Sequence, residues 1–496
     1  MNLTDLTYLL PELILLFAAT VVFALDALWP KGRPKEWLPY AAIAGLAAAA
    51  LGIIPSLGAG ARIVASMLAL DPFAIFFKAL AIIGVAVVIL TAIPYLAGRT
   101  PYRGEFYALL LVVAAAICLA ASATNLVMIY LAMEFLSITS YVLAGYLRND
   151  RKSGEAALKY FLYGATASAV MLYGISLLYG ATGTTDMAGI AAALTGKAAG
   201  ELVWLGVPAL ILLLAGFGFK ASLVPFHQWA PDTYEGAPTP VTAFLSTASK
   251  AAGFAILMRV FLVAMGPLQA QWIALLIAVS IATMTVGNLT ALKQTNVKRL
   301  LAYSSIAQAG YMLIGVVAVW GMGAPGGASP APTFTGINGV LIYLFAYLFT
   351  NVGAFAVVTA FEAATGKVEL NDYAGLVKRS PWLAGLLFIF LISLAGIPPT
   401  GGFLGKFFVF GAAVQRQMWI LLAIAAVNTV VAAFYYLNVV RYMFFVPAEE
   451  GAERVEVALP LRGALLITAA LTLLLGLIPG PLIAWATQSV QIWALK

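Results

Sequence analysis

The sequence predicts an all-α integral membrane protein of about fourteen transmembrane helices. Three observations carry this. Of 496 residues, 63% are hydrophobic and only 9% charged, against about 25% charged in an ordinary soluble domain. Apolar runs near the ~20 residues needed to cross a bilayer recur along the whole chain. Two of these runs contain Gly and Pro at points that would break a spanning helix.

Reading apolar runs between charged or Gly/Pro-rich breaks places spans at 8–29, 39–56, 72–94, 107–122, 124–147, 155–180, 202–220, 239–264, 271–291, 299–321, 335–361, 381–411, 417–445 and 462–486. The apolar run from Tyr8 to Trp29 is long enough to span, and no Lys or Arg precedes it, so it does not read as a cleaved signal. A single cysteine, Cys118, excludes a disulfide framework and any cysteine-held cluster. A single histidine, His227, argues against haem or a multi-histidine metal site. No phosphate-binding glycine motif lies in a strand–turn–helix context. The net charge of +7 belongs to membrane loops and not to a nucleic-acid surface.

Loop charge sets a direction. Of the 27 Lys and Arg residues, 17 fall on the side reached after the first span, among them Lys31, Arg33, Lys35, Arg99, Arg148, Lys298 and Arg379. Four fall on the other side: Arg62, Lys197, Arg416 and Lys496. The basic-loop side is expected to be cytoplasmic, with both termini outside.

Six basic residues remain inside spans. Lys78 and Arg259 sit near predicted helix ends and are expected to snorkel to the interface. Lys159 is only about 6 Å into its helix. Lys250 is about 16 Å deep, and Glu134 sits at a similar depth in its own span. A charge at mid-helix costs about 2.5–3.5 kcal/mol on insertion scales, and such residues usually face a bundle interior and mark ion paths.

Lys220 and Lys406 lie in the two interrupted spans, GFGFKASLVPFHQWAPDTYEGAPTPV and SLAGIPPTGGFLGKFFVF. Carbonyls freed by such breaks must be satisfied by protein or by a water-filled cavity. Paired broken helices point to a transporter built from inverted repeats. The segment Leu131–Tyr146 aligns without gaps to Leu301–Val316, placing the fifth span opposite the tenth. That odd offset inverts the copies, so helices 4–8 and 9–13 are read as two inverted five-helix repeats with helices 7 and 12 broken. The corresponding division is 1–106, an N-terminal three-helix segment; 107–264 and 271–445, the two repeats; and 446–496, a loop and last helix. Ser304 stands where the first copy has Glu134, so Ser304→Ala is expected to be nearly silent while Lys406→Ala is not.

The runs LPELILLFAATVVFALDAL, MEFLSITSYVLAGY, EAALKYFLYGATASAVMLYGISLLYGATG, FKASLVPFHQWAPDTYEGAPTPVTAFLSTASKAAGF, NVKRLLAYSSIAQAGYMLIG and GIPPTGGFLGKFFVF closely resemble the antiporter-like membrane subunits of respiratory complex I, the proton-translocating NADH–quinone oxidoreductase. Within that family the match is to the subunit N type. Lysine at 406 argues against the M type, and the short stretch after the last span argues against the L type. The resemblance implies that Glu134 and Lys220 form an input pair and that Lys250 is the central lysine. It makes Lys406 the twelfth-helix residue, with Lys159 and His227 supporting. It implies no cofactor in this chain, with NAD, FMN, iron–sulfur clusters and quinone in partner subunits. The implied neighbours are a small K-type subunit, an M-type subunit and the lateral helix of an L-type subunit, in a bacterial cell inner membrane.

Desolvation disfavours the charged form of a buried lysine, and a nearby carboxylate restores it. Lys220 is therefore expected to hold its proton while Glu134 is beside it and to release it toward Lys250 otherwise. His227 and water would then lead to Lys406. A subunit of a multi-component sodium/proton antiporter is the alternative, and an inert scaffold a third reading.

Overall fold

The computed structural model describes residues 7–30, 35–58, 62–195, 199–319, 333–448 and 454–490. Lys31, Arg33, Lys197 and Lys496, used above to orient the chain, lie outside the described residues. The spanning helices are α1 (Leu10–Leu28), α2 (Leu38–Leu51), α3 (Pro72–Leu96), α4 (Arg103–Ser122), α5 (Leu126–Ala144) and α6 (Arg151–Thr182). The first broken helix follows as α7a (Ala199–Ala221) and α7b (Trp229–Gly236). Next come α8 (Thr239–Ala264), α9 (Gly266–Ala291), α10 (Val297–Val317) and α11 (Ile337–Thr365). The second broken helix is α12a (Pro381–Ala395) with α12b (Gly401–Gln415), followed by α13 (Trp419–Phe445), α14 (Leu459–Leu477) and a short helix at Gly480–Gln488. Among the described residues, 13 helices are long and apolar enough to cross a membrane. The pair α12a/α12b supplies the remaining span, in agreement with the predicted fourteen. One element departs from all-α: a hairpin of β1 (Arg62–Val64) and β2 (Leu68–Leu70) between α2 and α3.

Helices α8, α10 and α11 form the centre, each with 94% of its most apolar window buried. Helices α1, α9, α13 and α14 are peripheral, at 33%, and turn their large apolar side chains outward as a lipid-facing helix must.

The inverted repeat is visible in backbone detail. Helix α5 starts at the N-cap Asn125, whose side chain accepts from Val127 N–H at 2.9 Å. Helix α10 starts at the N-cap Asn296, accepting from Arg299 N–H at 3.2 Å. Each cap also forms a single antiparallel bridge to a distant loop, Asn125 with Asp186 and Asn296 with Glu369. Flanking bonds match as well: Leu126 N–H donates to Thr185 O, and Val297 N–H to Val368 O, both at 2.9 Å. Counting spans puts these two starts on opposite membrane faces.

The structure corrects the expectation for Lys78 and Arg259. Neither reaches the interface. Lys78 is 2% exposed and pairs with Glu12 of α1 at 2.7 Å. Arg259 is 1% exposed and grips Asp71 through Nη1 and Nη2 at 2.9 and 2.7 Å. Its Nε also donates to Ala121 O at 2.5 Å. Depth along a helix suggested snorkelling, whereas the tertiary fold brings buried acids to both residues. The Glu12–Lys78 pair ties α1 to α3, and the Asp71–Arg259 pair fastens the start of α3 to α8.

Candidate functional site

The two breaks present their lysines differently. In the first, α7a ends at Ala221, and Ser222 takes a left-handed φ of 58°. Lys220 therefore precedes the break. Its Nζ donates to Ser137 Oγ of α5 at 3.1 Å and reaches Tyr160 Oη of α6 at 3.5 Å. Gly253 of α8 lies against Lys220, where an added Cβ would come within 3.2–3.3 Å of it. In the second break, α12a ends at Gly396, with φ of 88°, and Lys406 follows the break in α12b. Its Nζ donates to the freed carbonyls of Leu394 and Ala395 at 3.2 and 2.9 Å, which answers the backbone requirement raised above. Lys220 and Lys406 are thus not positional counterparts, although the broken helices that carry them are.

Lys250 follows a π-helical turn, Leu245–Ser249, in α8; such bulges recur at functional sites. It is fully buried. Its ammonium donates to Ser305 O and Oγ of α10, both at 2.6 Å.

Helix α10 then carries a polar run toward Lys406. Ser304 Oγ pairs with Tyr436 Oη at 2.5 Å. Gln308 Nε2 donates to Tyr436 Oη at 3.2 Å and to Leu394 O at 2.9 Å. Leu394 O also accepts from Lys406. Tyr343 donates to Gln308 Oε1. Ser304, Gln308 and Tyr311 share one face of α10, at i, i+4 and i+7. The Lys406 ammonium sits 4.7 Å from the Tyr311 ring centre. The Ser304/Gln308 spacing was present in SSIAQAGY, but Ser and Gln are common enough in helices to pass unnoticed. Ser304, expected to be silent, is a link in this run.

Three expected members sit elsewhere. Glu134 is half-buried, not buried. It accepts from Ser168, and among the described residues no ion pair joins it to Lys220. One turn of α5 separates it from Ser137, through which Lys220 is held. Lys159 turns toward the basic-loop face, where its Nζ meets Glu155 and Asp232, both at 2.7 Å. Arg299 meets Asp232 at 2.5 Å in the same cluster. His227, partly buried beyond the first break, has no protein hydrogen bond at Nδ1 and makes no hydrogen bond to Lys250 or Lys406. Ser305, Ser304 and Gln308 of α10 are the polar groups bonded toward those two lysines. Among the described residues no group of three His, Cys, Asp or Glu side chains is disposed to hold a metal ion.

Broken helices in inverted repeats, with lysines at the breaks and at the centre of the bundle, define an antiporter-like membrane subunit. The chain belongs to the NADH:quinone oxidoreductase/Mrp antiporter transmembrane family, whose signature covers residues 123–432, and within it groups with the NADH-quinone oxidoreductase subunits N. It is 43% identical to that subunit from Desulfitobacterium hafniense, over 98% of each chain. It is 40% identical to the one from Trichlorobacter lovleyi, over 98% and 97%. Among solved structures, respiratory complex I from Thermus thermophilus with bound aureothin contains a chain 34% identical, with TM-score 0.78 over 96% of this chain and 98% of that one. The Mrp complex from a Dietzia species superposes with TM-score 0.83 over 99% and 98%, at 22% identity, a likeness of fold alone.

Proposed function

We propose that this chain translocates protons as the N-type membrane subunit of an NADH–quinone oxidoreductase. The observation that carries this is a set of three buried lysines, Lys220, Lys250 and Lys406, held by neutral hydroxyls and carbonyls and not by carboxylates. A cation held this way loses little when it gives up its proton, because no buried anion is left behind. Glu134 supplies the modulating charge one turn from Ser137. The order proposed is Glu134 and Lys220, then Lys250, then Ser305, Ser304, Tyr436 and Gln308, and finally Lys406. His227 and Lys159 lie beside this route. The domain limits 1–106, 107–264, 271–445 and 446–496 frame it.

The chain's own residues perform no redox chemistry in this scheme. NAD, FMN, iron–sulfur clusters and quinone belong to partner subunits, and quinone reduction there drives the cycle. Moving one charge against 100 mV costs about 2.3 kcal/mol, so a coupling of that order per proton suffices. Glu134 lies between the outward-facing Leu131, Phe135 and Ile138 of α5. A carboxylate facing lipid is expensive, which supports a small K-type neighbour covering this face. An M-type subunit and the lateral helix of an L-type subunit complete the proposed surroundings. The basic loops face the cytoplasm of a bacterial inner membrane, with both termini outside.

Lys220→Ala or Glu134→Ala in the assembled complex tests the input pair. Fewer protons per quinone reduced are expected, and an unchanged ratio contradicts the proposal. The sodium/proton antiporter reading rests on the shared family signature and a likeness of fold; adjacent genes for NADH- and quinone-handling subunits separate the two.

A further inference from the structure

The translocation scheme leaves Asn288 of α9 unused. Helix α9 is peripheral and largely apolar, yet it turns Asn288 inward, where the side chain is fully buried. A buried amide is costly unless its hydrogen bonds are made. Asn288 makes three. Its Oδ1 accepts from Tyr435 Oη of α13 at 3.0 Å. Its Nδ2 donates to Asn428 Oδ1 of α13 at 3.2 Å and to Tyr311 Oη of α10 at 3.1 Å. Asn428 is held in turn, because its Nδ2 donates to Ile424 O at 3.0 Å and to Thr285 Oγ1 of α9 at 3.3 Å. Both N–H groups and the carbonyl of Asn288 are therefore engaged, and a fully satisfied buried network is rigid.

The bond to Tyr311 leads to Lys406. The Tyr311 ring centre lies 4.7 Å from the Lys406 ammonium, inside the ~6 Å reach of cation–π attraction. The same ring meets Phe410, one turn further along α12b, with 6.2 Å between ring centres. Tyr311 is thus pinned at its hydroxyl by α9 and flanked along its ring by α12b. The other partners of Lys406 are the carbonyls of Leu394 and Ala395. A carbonyl accepts from an amine as well as from an ammonium. The face of a ring attracts the ammonium through its charge, so it favours the proton-loaded form. Among the described residues no carboxylate pairs with Lys406. The titratable side chains around it are tyrosines: Tyr311, Tyr343 of α11 packed on the adjacent Gly405, and Tyr436 of α13, joined through Gln308 to the same Leu394 O.

We propose that Asn288 is a positioning residue for proton transfer at Lys406: its bond to Tyr311 holds the aromatic face over the ammonium and so sets how firmly Lys406 keeps an arriving proton. This rests on the translocation reading above, in which Lys406 is the last carrier. Asn288 touches neither the proton nor Lys406. A purely structural role, fastening α9 to α13, would serve the amount of assembled subunit and not the hold on the proton.

The test measures protons moved per quinone reduced across a range of pH, with the intact complex in sealed vesicles. Three variants are compared: Asn288→Leu, Tyr311→Phe, which keeps the ring and removes the tethered hydroxyl, and the two combined. Lys406→Met alongside defines the share of protons that belongs to this subunit. A weaker hold on the proton shows first where protons are scarce. Each single variant is therefore expected to move the alkaline limit of that share to lower pH by about half to one unit, with the wild-type ratio returning as pH falls. The combined variant matches the singles, because both cut the same bond. Tyr311→Leu, which removes the ring, moves the limit at least as far. A wild-type profile in both singles, a loss equal at every pH, or a combined loss equal to the sum of the singles overturns the positioning role. Should Asn288→Leu fail to assemble, the profile of Tyr311→Phe decides. A native ratio in Lys406→Met removes the translocation reading itself, whereas a loss there with wild-type profiles in Asn288→Leu and Tyr311→Phe removes only the role of Asn288.

Discussion

Two groups contrast among the buried cations of this bundle, with Lys298 at the start of α10, donating to Ala237 O, a further one. Lys78 and Arg259 are each matched by a carboxylate, Glu12 and Asp71. Lys220, Lys250 and Lys406 are equally buried but, among the described residues, hydrogen-bond only to hydroxyls and carbonyls. Removing the proton or the side chain of one partner in a buried ion pair strands the other charge in low dielectric. Neutral ligands impose no such penalty. The first arrangement fixes helices in place, and the second leaves a group free to change charge. Burial alone does not distinguish them; the partner does.

The strongest way to break that distinction is to remove a cation of the second kind. Lys406→Met is expected to abolish pumping by this subunit while the complex assembles and still reduces quinone, read as protons moved per quinone in vesicles. Pumping at the native ratio would erase the contrast. Asp71→Ala probes the first kind. Leaving Arg259 unpaired costs about 3–5 kcal/mol, so the expected result is a fall in the amount of assembled subunit on blue-native gels. The remaining complex keeps its proton ratio. Tyr436→Phe sharpens the contrast by removing one hydroxyl between Ser304 and Gln308. A stability loss of about 0.5–1.5 kcal/mol is expected, together with slowed pumping, and Ser304→Ala shifts pumping in the same direction. The smallest effect belongs to Lys159→Gln. Its pairs with Glu155 and Asp232 are partly exposed, and surface pairs contribute about 0–1 kcal/mol, so thermal stability should barely move.

Much of this was legible in the residues. Spans follow from apolar run length, and the two breaks from Gly and Pro within such runs. The depth of Lys250 and the repeat relating α5 to α10 also needed no coordinates. What escaped was partnership across long sequence distances. Glu12 lies 66 residues before Lys78 and Asp71 lies 188 before Arg259, and no periodicity links them. The half-exposed position of Glu134 depends on how α5 is rotated, which an apolar span does not specify. The Ser304–Tyr436–Gln308 run comprises common polar residues from two helices, and its meaning appears only when α10 and α13 are packed together. Lys220 and Lys406 looked equivalent because both adjoin a break. Their placement before and after it is set by where each helix ends.

The central claim is that cations held by neutral groups carry the proton, and Lys250 is the purest instance. The most direct measurement is the number of protons moved per quinone reduced by vesicles carrying Lys250→Met. The account predicts an assembled complex that has lost this subunit's protons. A native ratio, with quinone reduction intact, would contradict it.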